Sequence, residues 1–157
     1  MTEPVIVHST FVIERSYPHG VDRVFGAFSD PARKRRWYVD GAGNEVTDYE
    51  LDFREGGFER SRYRMGEKTP LPGMEMGSDV AFQDIQPNRR IVFCQTMSMA
   101  GRRFSAALVT LEFLPAGDAT ILTCTHQGAF FEGSDGPEMR EQGWRGLLDR
   151  LDRALQA

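Results

Sequence analysis

The chain has 157 residues, the length of one ordinary domain, and a domain of this size buries roughly two thirds of its unfolded surface. Its composition, 40% hydrophobic, 27% charged and 11% aromatic, is typical of globular proteins and excludes a wholly disordered chain. A net charge of −4 with a pI near 5.4 disfavours nucleic acid as a partner, because nucleic-acid binders normally present a basic face.

The N-terminal segment predicts a strand followed by a short helix. Phe11, Ile13 and Tyr17 occupy alternate positions within residues 9–17, which is the period of a strand. A proline and a glycine then end the strand. From Val21 onward, apolar residues recur at helical spacing.

A second short helix is predicted directly after the first. Asp30 before Pro31 is typical of an N-cap followed by proline at the first helical position. The basic run at residues 33–36 is interpreted as a solvated face of this helix rather than as an anion site.

The middle of the chain predicts an antiparallel meander. Turn signals such as Gly56-Gly57 and Pro87-Asn88 separate segments in which apolar residues alternate. The predicted strands cover residues 47–53, 58–65, 78–85, 91–99, 104–114 and 120–130. Residues 66–77 predict a loop that is either a lid or a flexible connection.

The C-terminal segment predicts one long amphipathic helix. After Pro137, apolar residues follow the spacing of a buried helical stripe at Trp144, Leu147, Leu148, Leu151 and Leu155. The apolar face of the sheet and this stripe are the only adequate cover for each other. We therefore expect an α+β helix-grip fold, in which a curved antiparallel sheet of six or seven strands wraps around the helix.

A ligand pocket and a single domain follow from this architecture. A strongly twisted sheet around one helix leaves space at its concave face, and the two short helices can close that space. Such a space is the default binding site. No linker composition divides the chain, so residues 1–157 are predicted to form one domain. No apolar run of about 18 residues and no secretory leader is recognisable, so we expect a cytoplasmic protein without a membrane insertion.

Several segments carry a resemblance to a known superfamily. They are VDRVFGAFSDPARKRRWY (residues 21–38), LDFREGGFERSRYRM (51–65), FQDIQPNRRIVF (82–93), THQGAF (125–130) and EQGWRGLLDRLDRAL (141–155). The sequence resembles the START-like, or SRPBCC, superfamily, and within it the bacterial group similar to the C-terminal domain of the activator of the ninety-kilodalton heat-shock protein ATPase. The resemblance implies a shared cavity that different members use for lipids, polyketides, hormones or chaperone-related contacts.

Aromatic residues are the first candidates for the cavity walls, although a core needs the same residues. They are Trp37, Tyr38, Tyr49, Phe58, Phe82, Phe93 and Trp144, of which the two tryptophans are preferred. Gln95 is the polar candidate. The remaining candidates are Val109, Leu111, Cys124, His126, Leu147 and Leu148.

His126 is the best candidate for a catalytic residue. It shares a strand face with Leu122 and Cys124, and the resemblance implies that this position points inward. It is either a hydrogen-bonded core histidine or an acid/base residue that contacts the ligand. Cys124 lies about 6.5 to 7 Å away along the strand, too far for a direct thiolate–imidazole pair.

Cofactors and metals are not expected. The two cysteines, Cys94 and Cys124, lack metal or redox spacing, and the GxSxG, GxGxxG and Walker sequences do not occur. Arg60, Arg62 and Arg64 share one strand face, which is either a solvated outer face or a concave site for a carboxylate or phosphate.

Three functions remain open. The first is a cofactor-free module that carries, sequesters or senses a small apolar or aromatic ligand. The second is a cyclase- or hydrolase-type enzyme that uses His126 to move a proton. The third is a protein-interaction module of the chaperone-activator type, although direct chaperone contact is disfavoured because no accessory chaperone-binding domain is recognisable. An edge strand in so small a sheet makes a homodimer plausible.

Overall fold

The computed structural model describes residues 5–157. Its elements are β1 (Val7–Tyr17), α1 (Val21–Ser29), α2 (Pro31–Tyr38), β2 (Glu45–Leu51), β3 (Phe58–Arg64), β4 (Glu75–Gln86), β5 (Arg90–Met99), β6 (Arg102–Ala116), β7 (Ala119–Phe130) and α3 (Pro137–Gln156). The strands form a seven-stranded antiparallel sheet in the order β1-β7-β6-β5-β4-β3-β2. The helix-grip fold expected from the sequence is confirmed. None of the helices within the described range is long and apolar enough to cross a membrane.

The element boundaries differ most from prediction around the loop between β3 and β4. Strand β4 begins at Glu75 rather than at residue 78, because Glu75 pairs with Arg64 and extends the ladder. The Met65 amide donates to the Met74 carbonyl at 2.9 Å and closes the shortened loop. A 3-10 turn at Asp40–Ala42 follows α2 and was not anticipated.

The Asp30 cap predicted from the sequence is confirmed. Its side chain accepts hydrogen bonds from the backbone amides of Ala32 at 2.9 Å and Arg33 at 3.3 Å. Pro31 occupies the first turn, where its missing amide hydrogen costs nothing. The cap thus separates α1 from α2 and sets the direction in which α2 leaves the core.

The concave face of the sheet has a half with large apolar residues and a half with small polar ones. In the first half, a cross-strand row aligns Ile13, Cys124, Leu111 and Ile91, all almost fully buried. In the second half, another row contains Ser61, Ser78, Met97 and Ser105. The leucines Leu148, Leu151 and Leu155 of α3 belong to the same buried core as the first row. Large side chains therefore fill only one end of the space beneath the helix.

The three arginines of β3 lie on the opposite, convex face of the sheet. Arg60 pairs with Asp48 and Glu50, each at 2.7 Å, and Arg62 pairs with Asp79 at 3.0 Å. Their side chains remain more than a third exposed. The arginines therefore form a solvated outer face and not a concave site for a carboxylate or phosphate.

The interpretation of residues 33–36 as a solvated face is wrong for Lys34. Its side chain is buried, with 5% of its surface exposed, and its Nζ lies 3.1 Å from both carboxylate oxygens of Glu59. The Tyr49 hydroxyl donates to Glu59 at 2.6 Å. The ammonium also lies 4.3 Å from the centre of the Tyr38 ring. Spacing along α2 does not reveal this, because the carboxylate comes from β3.

The replacement Lys34→Met is expected to lower the free energy of unfolding by about 3 to 5 kcal/mol, because Glu59 would remain buried without its counter-charge. Urea denaturation measures this loss. Arg36→Met is the control, since Arg36 is exposed on the same helix, and it should change stability by less than about 0.5 kcal/mol. Adding Glu59→Gln to Lys34→Met should recover part of the loss, and equal effects of Lys34→Met and Arg36→Met would contradict the assignment.

Candidate functional site

A cavity of about 340 Å³ lies between the small-residue half of the sheet and the N-terminal half of α3. The sheet contributes Ser61, Tyr63, Met76, Ser78, Gln95, Met97 and Phe104. The helix contributes Met139, Arg140, Gly143, Trp144, Leu147 and Arg150. The remaining lining residues are Tyr38, Val39, Ala42, Asn44, Met65 and Asp135.

The cavity exists because small residues face each other across it. Ser61 and Ser78 line the cavity from a cross-strand row that also contains Met97 and Ser105. The corresponding row in the other half of the sheet carries large apolar side chains. On the helix, a Cβ added to Gly143 would meet nothing within 4 Å. Close packing fails where neither wall supplies volume, so a space remains.

The walls contain buried polar atoms that lack partners. Ser61 Oγ, Gln95 Oε1 and Arg140 Nη1 are buried and have no hydrogen-bond partner among residues 5–157. The amide of Gln95 is held in place, because its Nε2 donates to Ser78 Oγ at 2.8 Å and to the Tyr38 hydroxyl at 3.3 Å. A buried polar atom without a partner costs about 1 to 3 kcal/mol, which a ligand with suitable groups would offset.

Arg140 closes one end of the cavity with its charge compensated. Its Nε and Nη2 donate to the two carboxylate oxygens of Asp135 at 2.9 and 3.0 Å, and Nη2 also donates to Ser105 Oγ at 2.7 Å. The guanidinium carbon lies 5.1 Å from the centre of the Phe130 ring. The pair therefore contributes no net charge to the cavity.

Arg150 lies at the other end, beside the end of α2. Its Nε donates to the backbone carbonyl of Trp37 at 3.0 Å. Within residues 5–157 no carboxylate lies within 4.0 Å of its guanidinium nitrogens. Burial, and secondly the charge of Arg153, lower the pKa of Arg150 from its usual value. This arginine is thus a half-buried cation without a counter-ion among the described residues.

The cavity brings together only four of the residues proposed from the sequence: Tyr38, Gln95, Trp144 and Leu147. Burial, and secondly Glu59, raise the pKa of Tyr38, so its phenol keeps its proton. Tyr49 donates to Glu59 instead, and Phe58 lies on the convex face, where its ring is 5.7 Å from the guanidinium carbon of Arg60. The preferred Trp37 lies in the core and donates its Nε1 hydrogen to the Ala27 carbonyl at 2.9 Å.

The other candidates also belong to the packed core. They are Phe82, Phe93, Val109, Leu111, Cys124 and Leu148. Sequence reasoning missed Arg140, Gly143 and Arg150, although the helical stripe through Trp144 and Leu147 passes through these positions when it is extended in both directions. It also missed the serines, because a serine on a strand gives no signal of its position over a cavity.

His126 is a core residue and does not line the cavity. It is completely buried, and its ring stacks on Phe11 with centroids 4.6 Å apart and planes 7° apart. A second stack, with Phe130, has centroids 6.0 Å apart. A Cβ at Gly128 would come within 2.9 Å of this imidazole, so a residue without a side chain is needed there. This placement agrees with the alternative of a core histidine rather than with a residue that contacts the ligand. However, neither ring nitrogen makes the hydrogen bond expected of a core histidine with any of residues 5–157.

The environment also determines the protonation states of His126 and Cys124 near neutral pH. Burial, and secondly the charge of Arg140, lower the pKa of His126 to about 4, so the ring is neutral. Burial raises the pKa of Cys124 to about 12, so this residue stays a thiol rather than a nucleophilic thiolate. Neither residue lines the cavity.

The unpartnered imidazole predicts a pH dependence of stability. The unfolded chain binds a proton at His126 below its ordinary pKa of 6.5, whereas the folded protein does so only near pH 4. The free energy of unfolding should therefore fall by about 1.4 kcal/mol per pH unit as pH decreases from about 6.5 to about 4. Urea denaturation between pH 4.5 and 8 should show this fall, and His126→Leu should remove that component. His8→Gln, on the exposed part of β1, is the control, and an unchanged slope in His126→Leu would refute the assignment.

The sheet, the gripping helix and the cavity between them define the START-like helix-grip class of proteins. Within that class, residues 18–156 match the family model described as Activator of Hsp90 ATPase homolog 1-like protein. The chain belongs to this family.

Solved structures of similar proteins extend the comparison. Protein Mll3558 of Rhizobium loti is 49% identical, with a TM-score of 0.85 over 95% of this chain and 98% of that one. An uncharacterized protein of Rhizobium leguminosarum is 34% identical, with a TM-score of 0.89 over 96% of each chain. An AHSA1-like protein of Aeromonas hydrophila, 20% identical with a TM-score of 0.69 over 94% of this chain and 92% of that one, is similar in fold alone. No curated protein matches the sequence significantly.

Proposed function

We propose that this protein binds a small, largely apolar or aromatic molecule between its sheet and α3, and that it carries, sequesters or senses this molecule without converting it. The observation that carries the proposal is the cavity of about 340 Å³, with buried unpartnered polar atoms in mainly apolar walls. Ligand pockets typically have volumes of about 300 to 1,000 Å³ and combine an apolar lining with a few fixed polar groups.

The lining suits a flat or flexible apolar ligand. Four methionines, Met65, Met76, Met97 and Met139, contribute adaptable thioether chains. Rings of Tyr38, Tyr63, Phe104 and Trp144 add aromatic surface.

Binding without turnover is favoured over the enzyme alternative. His126 stands outside the cavity lining with its ring between two phenylalanines, and the thiol of Cys124 is buried in the core. The interaction-module alternative has weaker support. Within residues 5–157, some exposed large apolar side chains lie on or just before the edge strand β1 (Val5, Ile6, Val7 and Val12), but the others are spread over the β3–β4 loop, β6 and α3 (Leu71, Leu108, Leu114 and Met139). The cavity therefore favours ligand binding over both alternatives.

The replacement Gly143→Leu should weaken binding of an apolar probe about tenfold or more, because the added side chain would occupy the open space at this wall. Fluorescence of N-phenyl-1-naphthylamine, titrated with protein, measures this affinity. The variant should be as stable as the wild type or up to about 1 kcal/mol more stable, since leucine favours the helix more than glycine does.

Gly146→Leu is the matched control on the same helix. Gly146 does not line the cavity, and its added Cβ would meet only Arg150 Nη1 at 3.8 Å, an ordinary contact. This variant should bind the probe like the wild type. If the wild type does not bind the probe, or if both glycine variants bind it equally well, the proposed function is wrong.

A further inference from the structure

We propose that the natural ligand is a monoanion, a small carboxylic acid with an apolar or aromatic body, and that its carboxylate pairs with Arg150. This inference rests on the proposed function and names the chemical class of ligand for the same cavity.

The charges around the cavity do not cancel. Three charged residues line it: Asp135, Arg140 and Arg150. Both carboxylate oxygens of Asp135 are engaged by Arg140, so these two charges compensate each other. The single positive charge of Arg150 remains. A ligand with one negative charge would neutralise the lining, whereas a dianion or a cation would leave a net charge there.

Arg150 is held in a position suited to receive an anion. Its Nε is fixed by the Trp37 carbonyl at 3.0 Å, and its Cδ lies so close to Gly41 that a Cβ there would be only 2.9 Å away. The two terminal nitrogens make no hydrogen bond within residues 5–157. A guanidinium anchored through Nε presents its terminal N–H groups to a carboxylate, which is a strong charge-assisted contact.

The unpaired cation is already partly desolvated, and this makes the pairing favourable. The side chain is half-buried, and this burial disfavours the charged form and lowers the pKa of Arg150. A carboxylate from the ligand would restore the interactions that burial removed. Exposed ion pairs gain little because water screens them, whereas a pair formed with a half-buried guanidinium in a cavity is screened less.

The rest of the cavity fits the apolar body of such a molecule. Arg140 and Arg150 are ten residues apart on α3, which places them about 15 Å apart along the helix. Between them the helix presents Trp144 and Leu147, opposite Met97 of the sheet. An acid whose carboxylate lies at Arg150 would therefore extend its body along this apolar stretch. At the far end, the buried Nη1 of Arg140 would donate a hydrogen bond to an uncharged acceptor of the ligand, such as a carbonyl.

Matched acids and amides test the proposal. Naphthalene-2-carboxylate and decanoate, with naphthalene-2-carboxamide and decanamide as neutral counterparts, compete with bound N-phenyl-1-naphthylamine. The wild type should bind each acid about tenfold more tightly than its amide, as expected for one charge-assisted contact. Arg150→Met should abolish this preference without abolishing probe binding, and Arg150→Lys should retain part of it because the charge remains.

Arg153→Met is the matched control, because it removes the same charge from an exposed position on the same helix. It should keep the preference for the acid. Equal affinities of acid and amide for the wild type, displacement by neither, or a preference that survives in Arg150→Met would overturn the inference. These outcomes differ from failure of the proposed function, in which the neutral probe itself does not bind. Thermal unfolding of each variant confirms that the compared proteins are folded.

Discussion

The covering of the sheet's concave face by α3 is the constraint on which the rest of the structure depends. The C-terminal half of the helix places Leu148, Leu151 and Leu155 in the core with the large apolar rows of the sheet. The N-terminal half crosses a row built largely of serines and cannot pack closely against it. One helix therefore completes the core at one end and roofs a cavity at the other. The same burial that stabilises the fold fixes the cavity's position.

The interior polar groups show which charges the fold itself requires. Lys34 is compensated by Glu59, and Arg140 is compensated by Asp135. Both pairs sit beside the cavity: one touches the Tyr38 ring, and the other tethers the start of α3 to Ser105. Because isolated buried charges are costly, a folded protein normally pairs them. Arg150 departs from this pattern, and the departure identifies the end of the cavity at which ligand charge is expected.

Membership of the family defines the architecture and leaves the ligand to the lining residues. A helix-grip scaffold supports many functions, because its cavity is shaped by a few side chains that can change while the sheet and helix persist. In this protein, the serines, Gly143 and the methionines determine size and shape, and the two arginines determine polarity. These side chains, rather than membership of the family, therefore determine which ligand the cavity can accept.

The regular elements were determined by the sequence because their signals are local. Alternation gave the strands, the Asp30 cap and Pro31 gave the start of α2, and the stripe from Trp144 to Leu155 gave α3. The candidate site was predicted less well. Periodicity identifies buried faces but does not show which buried residues border a cavity: Trp37 and Trp144 both belong to the core, and only Trp144 also lines the cavity.

Only the tertiary structure decided which buried residues meet empty space and which meet a partner. In the sequence, Lys34 is part of a basic run that is typical of a solvated helix face. In the structure, α2 packs against β3, and Lys34 forms an ion pair with Glu59. In the sequence, nothing distinguishes Arg150 from a surface arginine. In the structure, α3 packs along the sheet, and Arg150 is half-buried without a carboxylate partner among the described residues. Whether a residue is buried or forms an ion pair depends on how closely segments that are remote in the chain approach each other in the fold. A sequence specifies those distances only through the complete fold, so its local patterns cannot display them.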